Sequence, residues 1–142
     1  MNIKVKVYDS LPKEAKSIRT TVFVDEQHFV EEFDESDNNA IHLVMFDNDL
    51  PIGTSRIIYS KKHKCLSIGR FAIIKPYRGK YLGQQLLLAT ENEIIKRYGL
   101  VLVGVSSQDR AEKFYEKQGY KSTKEKYLDQ YCPHVWMIKD LK

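Results

Sequence analysis

The amino-acid sequence predicts an α/β fold built around one mixed sheet. Strand and helix patterns alternate along the chain in the order β-α-β-β-β-α-β-α-β-β. The continuous apolar run over 100–105 is typical of a buried parallel strand, and it follows a helical pattern that itself follows a strand. Strand, helix and strand over residues 65–105 therefore form a β-α-β unit with a right-handed crossover. This unit places one parallel pair near the middle of the sheet.

The first half of the chain supplies a strand, a helix and a hairpin. Apolar and polar residues alternate over 2–8, which predicts a strand. A helix is predicted to begin near Pro12, a residue type suited to the first helical turn. Its apolar stripe consists of Ala15, Ile18, Val22 and Phe23. Strands predicted over 40–46 and 52–59 flank a turn at Asp47-Asn48-Asp49.

The next predicted strand carries a break in its pattern. Leu66 and Ile68 alternate, and so do Phe71 and Ile73, but the second pair is out of phase with the first. Because side chains alternate between the two faces of a strand, a slip of one residue indicates a β-bulge. The sequence therefore predicts a bulge near Gly69-Arg70.

Two helices and two strands complete the predicted fold. Apolar residues at helical spacing predict helices over 82–97 and 108–118, each followed by a glycine that can end it. The last strands are predicted at 120–127 and 134–139. No repeat, low-complexity tract or Pro/Gly/Ser-rich linker interrupts the sequence, so residues 1–142 are expected to form a single domain.

Composition narrows the class of protein. The chain is 42% hydrophobic and 30% charged, as in an ordinary globular domain. Its net charge of +4 is spread along the chain, which favours a solvated surface or an anionic small ligand over nucleic acid. Cys65 and Cys132 lack CxxC spacing, which argues against a zinc site or a disulfide framework and favours the cytoplasm. The sequence shows no signal-peptide pattern and no apolar run approaching the ~20 residues of a membrane helix.

A glycine-containing loop lies between a predicted strand and a predicted helix. It reads Arg78-Gly79-Lys80-Tyr81-Leu82-Gly83-Gln84. Backbone N–H groups in such a loop lie at the positive end of the helix dipole, and two basic side chains add charge. The loop therefore predicts an anion site suited to a pyrophosphate. The alternative interpretation is a basic turn that only leads into an amphipathic helix.

An aromatic motif occupies the second of these helices. It reads Ala111-x-x-Phe114-Tyr115-x-x-x-Gly119-Tyr120. Taken alone, it favours packing in the core. Phe114 fits that interpretation, whereas Tyr115 points about 100° away from it on a helix and is expected to face a cleft.

Together, in this order and spacing, the two motifs resemble those of the GNAT superfamily of acetyl-CoA-dependent N-acetyltransferases. The family patterns are Arg/Gln-x-x-Gly-x-Gly/Ala in the loop and Ala-x-x-Phe-Tyr-x-x-x-Gly-Phe/Tyr in the helix. The resemblance covers nearly the whole chain and is most specific over 65–120. Segments 22–27, 40–43 and 133–137 are similar to a compact bacterial branch. The family fold has the order β-α-(α)-β-β-β-α-β-α-β-β, and its bulge splays the parallel fourth and fifth strands to admit the pantetheine arm.

The resemblance implies an N-acetyltransferase that moves acetyl from its cosubstrate acetyl-CoA to a primary amine, of a small molecule or of a peptide lysine. The amine attacks directly in a ternary complex, with no metal. The backbone of Phe71, Ala72 and Ile73 is implied to pair with the pantetheine amides and to polarise the thioester carbonyl. Backbone amides of the loop are implied to hold the pyrophosphate: Arg78, Gly79, Lys80, Tyr81, Leu82, Gly83 and Gln84. Tyr81 departs from the family pattern, which has glycine there, and either narrows the approach of the phosphates or makes the loop adapt.

Four side chains are candidates for proton chemistry. By resemblance, Tyr115 meets the departing thiolate; a free phenol has a higher pKa than a thiol, so it donates a hydrogen bond unless its pKa is lowered. An alkyl ammonium must lose a proton before it attacks, and a base near neutrality helps. The candidates for that base are Glu26, His42, His134 and a chain of water molecules. Glu26 alternatively caps a helix or forms a salt bridge, and His42 is alternatively a structural histidine.

The acidic stretch 31–37 is interpreted as a solvated loop. If it instead rims the acceptor site, it favours cationic amines, and neutralising Glu31, Glu32 and Asp34 then raises the acceptor KM. A non-catalytic CoA-binding sensor is the alternative function. Partners among nucleic acids and membranes are not expected, and an exposed sheet edge in this fold permits a homodimer.

Overall fold

The computed structural model describes residues 1–30 and 32–142; Glu31 lies outside the described residues. The described strands are β1 (Ile3–Tyr8), β2 (Ile41–Asp47), β3 (Leu50–Ser60), β4 (Cys65–Ile73), β5 (Leu102–Gln108), β6 (Lys121–Asp129) and β7 (Cys132–Asp140). The described α-helices are α1 (Lys13–Arg19), α2 (Leu82–Tyr98) and α3 (Glu112–Lys117). All of these strands lie in one sheet, in the order β1-β2-β3-β4-β5-β7-β6. This mixed α/β sheet confirms the predicted fold class.

β4 and β5 are a parallel pair that separates after three residues. Residues 66–68 of β4 lie opposite residues 103–105 of β5. Beyond this point β4 continues along β3 to Ile73, whereas β5 continues along β7 to Gln108. The two strands therefore diverge, as predicted, and a gap opens between their carboxyl ends.

A β-bulge in β4 lies at the start of this gap. Thr54 of β3 is opposite Ala72, and Arg56 is opposite Gly69, so three steps along β4 match two steps along β3. The extra residue is accommodated at Arg70, whose φ of 45° lies in the left-handed region. Gly69 and Ala72 consequently face the same side of the sheet. The bulge confirms the prediction made from the phase slip.

The sheet is packed on both faces. α2 contacts β3 and β4 over the larger core, and α1 contacts β2, β3 and β4 over a smaller cluster. The smaller cluster contains all four residues of the stripe predicted for the first helix: Ala15, Ile18, Val22 and Phe23. Within the described ranges, none of the helices combines the length and the apolar character needed to span a membrane.

The first helix changes its winding before it ends. After Arg19 it continues as a π-helix over Thr20–Glu26. π-helical turns are rare and occur frequently at functional sites. This turn buries Val22 and Phe23 and brings its last residue, Glu26, to the edge of the gap between β4 and β5.

The acidic stretch is only in part the solvated loop that the sequence predicts, because residues 33–36 are exposed and the residues on either side of them are not. Glu32 and Asp37 are buried, and both accept hydrogen bonds at 2.8 Å from the guanidinium of buried Arg19. A neighbouring short 3₁₀ helix covers Glu35–Asn39. Burial raises the pKa of the Asp37 carboxyl, but the hydrogen bonds and positive charge of Arg19 outweigh this effect and hold the pKa below its usual value.

Two more arginines extend this ion-pair network. Arg56 contacts Asp34 and Asp37 at 3.1 Å, and Arg70 contacts Glu32 at 3.0 Å. Three arginines therefore balance three carboxylates, which is what the burial of charged groups requires. Of the four acidic residues that the structure describes in this stretch, only exposed Glu35 is left without an arginine partner. Glu31, the remaining acidic residue of the stretch, lies outside the described residues.

The last hairpin is longer than predicted. β6 and β7 pair as far as Asp129 and Cys132, so the turn contains only Gln130 and Tyr131. The predicted strands, 120–127 and 134–139, leave Pro133 in the turn between them. Here Pro133 lies within β7, paired with Leu128.

Candidate active site

A cleft of about 890 Å³ occupies the gap between β4 and β5. Its walls come from four parts of the chain: the end of the π-helix, the β4 strand beyond the bulge, the loop before α2, and α3 with the end of β5. The turn between β6 and β7 closes the far side. The splay predicted from the sequence therefore produces a cavity large enough for an extended ligand.

β4 presents backbone groups to the cleft. Ile74 donates its N–H to the Ile52 carbonyl at 2.9 Å. Since hydrogen-bonding direction alternates along an antiparallel pair, the N–H and C=O of Ile73 point away from β3 and into the gap. By the same alternation Ala72 directs its polar backbone groups toward β3. Phe71, Ala72 and Ile73 all line the cleft.

The loop before α2 forms one end of the cleft. The loop residues that line it are Arg78, Gly79, Tyr81, Leu82, Gly83 and Gln84. α2 begins at Leu82, so the unpaired N–H groups of its first turn lie at this end, where they favour an anion. Lys80 is not among the residues that line the cleft.

Tyr81 adopts the backbone conformation that glycine would favour. It precedes α2 with φ 63° and ψ 14°, in the left-handed region. Its side chain is 80% exposed at the mouth of the cleft. Of the two effects expected from this departure, the structure shows the adapted loop, because the backbone turns as it would at a glycine.

The strain at Tyr81 can be isolated by comparing two truncations. We expect Tyr81→Gly to be more stable than Tyr81→Ala by about 0.5–1 kcal/mol, because glycine escapes the ~1–2 kcal/mol left-handed penalty but loses more backbone entropy on folding. Both variants lack the ring, so the difference reports the backbone alone. Denaturant unfolding midpoints measure it, and a more stable alanine variant would contradict the left-handed conformation.

α3 places an aromatic group over the cleft. Tyr115 is 7% exposed, and its ring lies 5.1 Å from that of Phe114 and 6.2 Å from that of Phe71. Burial raises the pKa of the Tyr115 phenol well above its ordinary value, with no contribution from a hydrogen bond among the described residues. The hydroxyl therefore stays protonated and is available as a donor.

Glu26 lies at the edge of the cleft, paired with an arginine. Its carboxylate accepts two hydrogen bonds from the Arg78 guanidinium, at 2.6 and 2.9 Å. The hydrogen bonding from Arg78 lowers the pKa of the Glu26 carboxyl, and the charges of Arg78 and Lys75 add to the effect. A carboxylate with a lowered pKa is a weak base at neutral pH. The salt bridge that the sequence left open for Glu26 is therefore what the structure contains.

A second contact crosses the cleft beside this pair. The Gln108 side chain donates to the Gln27 side chain at 2.9 Å, and Arg78 also donates to the Ile73 carbonyl at 2.8 Å. The segment Glu26-Gln27 is thus fixed to the β4 side by Arg78 and to the β5 side by Gln108. We call the Arg78–Glu26 pair and the Gln108–Gln27 hydrogen bond together the cleft bridge. Sequence reasoning missed Gln27 and Gln108, because glutamine in a loop or at a strand end carries no distinctive signal.

His42 does not reach the cleft. It is 1% exposed, and its Nε2–H donates to the Asp37 carbonyl at 3.1 Å. Burial lowers the pKa of the His42 imidazole. His42 is absent from the residues that line the cleft, so the structure supports the structural histidine and not the base. Its place beside the ion-pair network follows from its position on β2, opposite Arg56.

His134 of β7 is the histidine that lines the cleft. It is 6% exposed, and its Nδ1 lies 2.9 Å from the Cys132 carbonyl. Since a carbonyl oxygen can only accept, Nδ1 carries the hydrogen in this contact, and the neutral ring has its lone pair on Nε2. The backbone contact therefore sets the tautomer that a general base needs.

The fold and the cleft together define an acyltransferase. The sequence model of the acetyltransferase (GNAT) domain family matches residues 9–141, and the chain belongs to this family. YyaT of Bacillus subtilis is 35% identical over 99% of this chain and 97% of its own length. A crystal structure from Lactobacillus plantarum superposes with a TM-score of 0.87 at 31% identity, covering 100% of both chains. An acyl-CoA N-acyltransferase from Pseudomonas aeruginosa has a TM-score of 0.84 at 22% identity, over 97% of this chain and 99% of that one.

Proposed function

We propose that the protein transfers the acetyl group of acetyl-CoA to a primary amine, of a small molecule or of a peptide lysine. The observation that carries this proposal is the cleft between β4 and β5. It brings together the loop of α2, unpaired backbone groups of β4 and the phenol of Tyr115. These are the groups that the transfer of an acyl group from a long anionic thioester requires.

Acetyl-CoA would lie across the gap with its diphosphate at the loop. Backbone N–H groups of 78–84 and the start of α2 supply donors for this anion. The pantetheine arm would run along β4, where Ile73 and Phe71 offer backbone groups and Ala72 forms part of the wall. Arg78 now donates to the Ile73 carbonyl, so the arm would replace this contact.

The thioester carbonyl would accept a hydrogen bond from a β4 backbone N–H beside the bulge. The amine nitrogen attacks the carbonyl carbon, and negative charge develops on the carbonyl oxygen. One fixed donor at such an oxygen is worth ~3 kcal/mol of the activation barrier. The amine attacks the thioester directly, so neither Cys65 nor Cys132 is needed as a nucleophile.

His134 is the general base that the geometry favours. An ammonium has no lone pair, so the acceptor must lose a proton to react. Nε2 of His134 has the free lone pair and lines the cleft, whereas Glu26 is held by Arg78 and His42 lies elsewhere. One proton of the ammonium passes to Nε2, directly or through water, and then to solvent. After the attack the nitrogen releases a second proton to solvent as the amide forms.

Tyr115 would stabilise the leaving group. When the carbon–sulfur bond breaks, coenzyme A departs as a thiolate. Because the pKa of Tyr115 is raised, transfer of its proton to sulfur is unfavourable, and the phenol acts by donating a hydrogen bond. The thiolate then takes its proton from solvent.

Thiol release from acetyl-CoA tests this function. We expect free thiol to appear when a primary amine is added, together with an equal amount of the acetylated amine detected by mass spectrometry. A panel should span amino acids, polyamines, aromatic amines and lysine peptides. Binding of acetyl-CoA without thiol release across this panel would contradict the proposal and indicate a CoA-binding sensor.

The cysteines bear on the cellular compartment in which the protein works. Both described cysteines are unpaired as thiols, which is typical of a reducing compartment. We therefore propose that the protein works in the cytoplasm, where acetyl-CoA is available as a cosubstrate.

A further inference from the structure

Two of the five arginines and lysines that line the cleft are paired with carboxylates. Arg78 is paired with Glu26, and Arg70 is paired with Glu32. Arg78 and Lys80 are expected from the sequence to add positive charge to the phosphate site. In the structure, the charge of Arg78 is neutralised by Glu26, and Lys80 does not line the cleft. A ligand with several phosphates therefore needs its counter-charges from another wall.

Three further cationic residues line the cleft: Arg110, Lys113 and Lys117. None of them is paired with a carboxylate of a described residue. Arg110 donates its Nε–H to the Gln108 side chain at 2.8 Å, beside the cleft bridge. Lys113 and Lys117 lie one helical turn apart on α3, and both are exposed. Neither lysine forms a salt bridge with any residue that the structure describes. The free charge of the cleft is thus concentrated on one side of α3.

These lysines flank the residue that contacts the phosphate loop. The Phe114 ring lies 3.5 Å from the position that a Cβ atom would occupy at Gly83, in the first turn of α2. Lys113 precedes Phe114 directly, and Lys117 follows it by three residues on the same helix. Lys113 and Lys117 are four residues apart, so they are neighbours on the surface of α3. Both lysines therefore line the cleft on the helix that packs against the first turn of α2.

We propose that Lys113 and Lys117 bind the 3′-phosphate on the ribose of coenzyme A. This inference rests on the proposed function and extends it to cosubstrate selection. Coenzyme A carries a diphosphate and one further phosphate, and the backbone of the loop provides for the diphosphate. A lysine on a flexible stem acts as a point charge suited to a terminal phosphate. The pair thus discriminates CoA thioesters from their dephospho forms.

Calorimetric titration with coenzyme A and with 3′-dephospho-coenzyme A tests this assignment. We expect the wild type to bind coenzyme A at least tenfold more tightly than the dephospho form. The double variant Lys113→Gln/Lys117→Gln should bind both compounds alike, with the affinity for dephospho-coenzyme A close to that of the wild type. Lys96→Gln, an exposed lysine of α2 outside the cleft, is the matched control and should keep the wild-type preference.

Each outcome bears on a separate claim. Equal binding of the two compounds by the wild type, or a preference that survives in the double variant, overturns the assignment of the lysines. It leaves the proposed function standing, because coenzyme A still binds. Failure of the wild type to bind coenzyme A at all overturns the proposed function instead. Binding needs no acceptor amine, so the test does not depend on knowing the acceptor.

Discussion

Replacing His134 with glutamine is expected to lower kcat by about 10²–10⁴-fold, the usual contribution of a general base. Glutamine keeps a polar side chain of similar reach but cannot take a proton from the amine. The KM for acetyl-CoA should change little, because His134 lies on β7 and the predicted phosphate site lies in the loop before α2. Initial rates of thiol release at saturating amine measure the effect.

The pH profile separates a base from a merely structural histidine. A group that accepts the proton of the amine shapes the pH dependence of kcat, so His134→Gln should alter that profile. His42→Gln is the control: its ring is buried outside the cleft, so it should change stability and leave the shape of the profile intact. A His134 variant with wild-type kcat and an unaltered profile would show that water or another group is the base.

Replacing Tyr115 with phenylalanine should lower kcat by about 10²–10³-fold, as removal of one donor to a developing charge does in other enzymes. Phenylalanine keeps the ring contacts with Phe71 and Phe114, so the cleft should hold its shape. The affinity for acetyl-CoA should be nearly unchanged, because the hydrogen bond strengthens only as the thiolate forms. Single-turnover rates and binding measurements on the same variant separate the two quantities.

Tyr120→Phe is the matched control for this change. The Tyr120 hydroxyl donates to buried Glu91 at 2.7 Å, and its ring packs against Tyr115 from outside the cleft. Its loss should cost about 1–3 kcal/mol of stability, since it leaves a buried carboxylate short of a donor, and should spare kcat. Full activity in Tyr115→Phe would remove the phenol from the mechanism.

Patterns among neighbouring residues predict the β-bulge, the loop before α2 and the position of Tyr115. The phase slip between Ile68 and Phe71 predicts the bulge because alternation in a strand depends only on neighbouring residues. The loop 78–84 and Tyr115 are predicted because each motif lies on one element. The resemblance of the two motifs implies the family and the splayed parallel pair. The family model confirms the family, and the short pairing of β4 with β5 confirms the splay.

Contacts between distant segments could not be predicted in the same way. Arg78 and Glu26 are separated by 52 residues, and nothing near either one indicates the other. The acidic stretch looks like a solvated loop because its arginine partners come from other elements. The pairing of Glu32 with Arg19 and Arg70 exists only in the folded chain. A histidine likewise reveals its role through its surroundings, which is why His42 and His134 appear equivalent in the sequence.

Several expectations stay predictions. The single domain over 1–142, the acceptor amine and the homodimer are among them, as is the absence of metal, nucleic acid and membrane partners. The roles of Tyr115 and of the loop residues stay predictions as well.

The cleft depends on the number of residues in one short interval of β4. From Gly69 to Ala72, β4 takes three residue steps to cover the distance that β3 covers in two. A chain with one residue fewer in this interval would restore regular alternation, keep Ala72 opposite Thr54 and let the strand run on beside β5. The place where a thioester could lie is therefore encoded by a single inserted amino acid, and deletions there should be far less tolerated than substitutions.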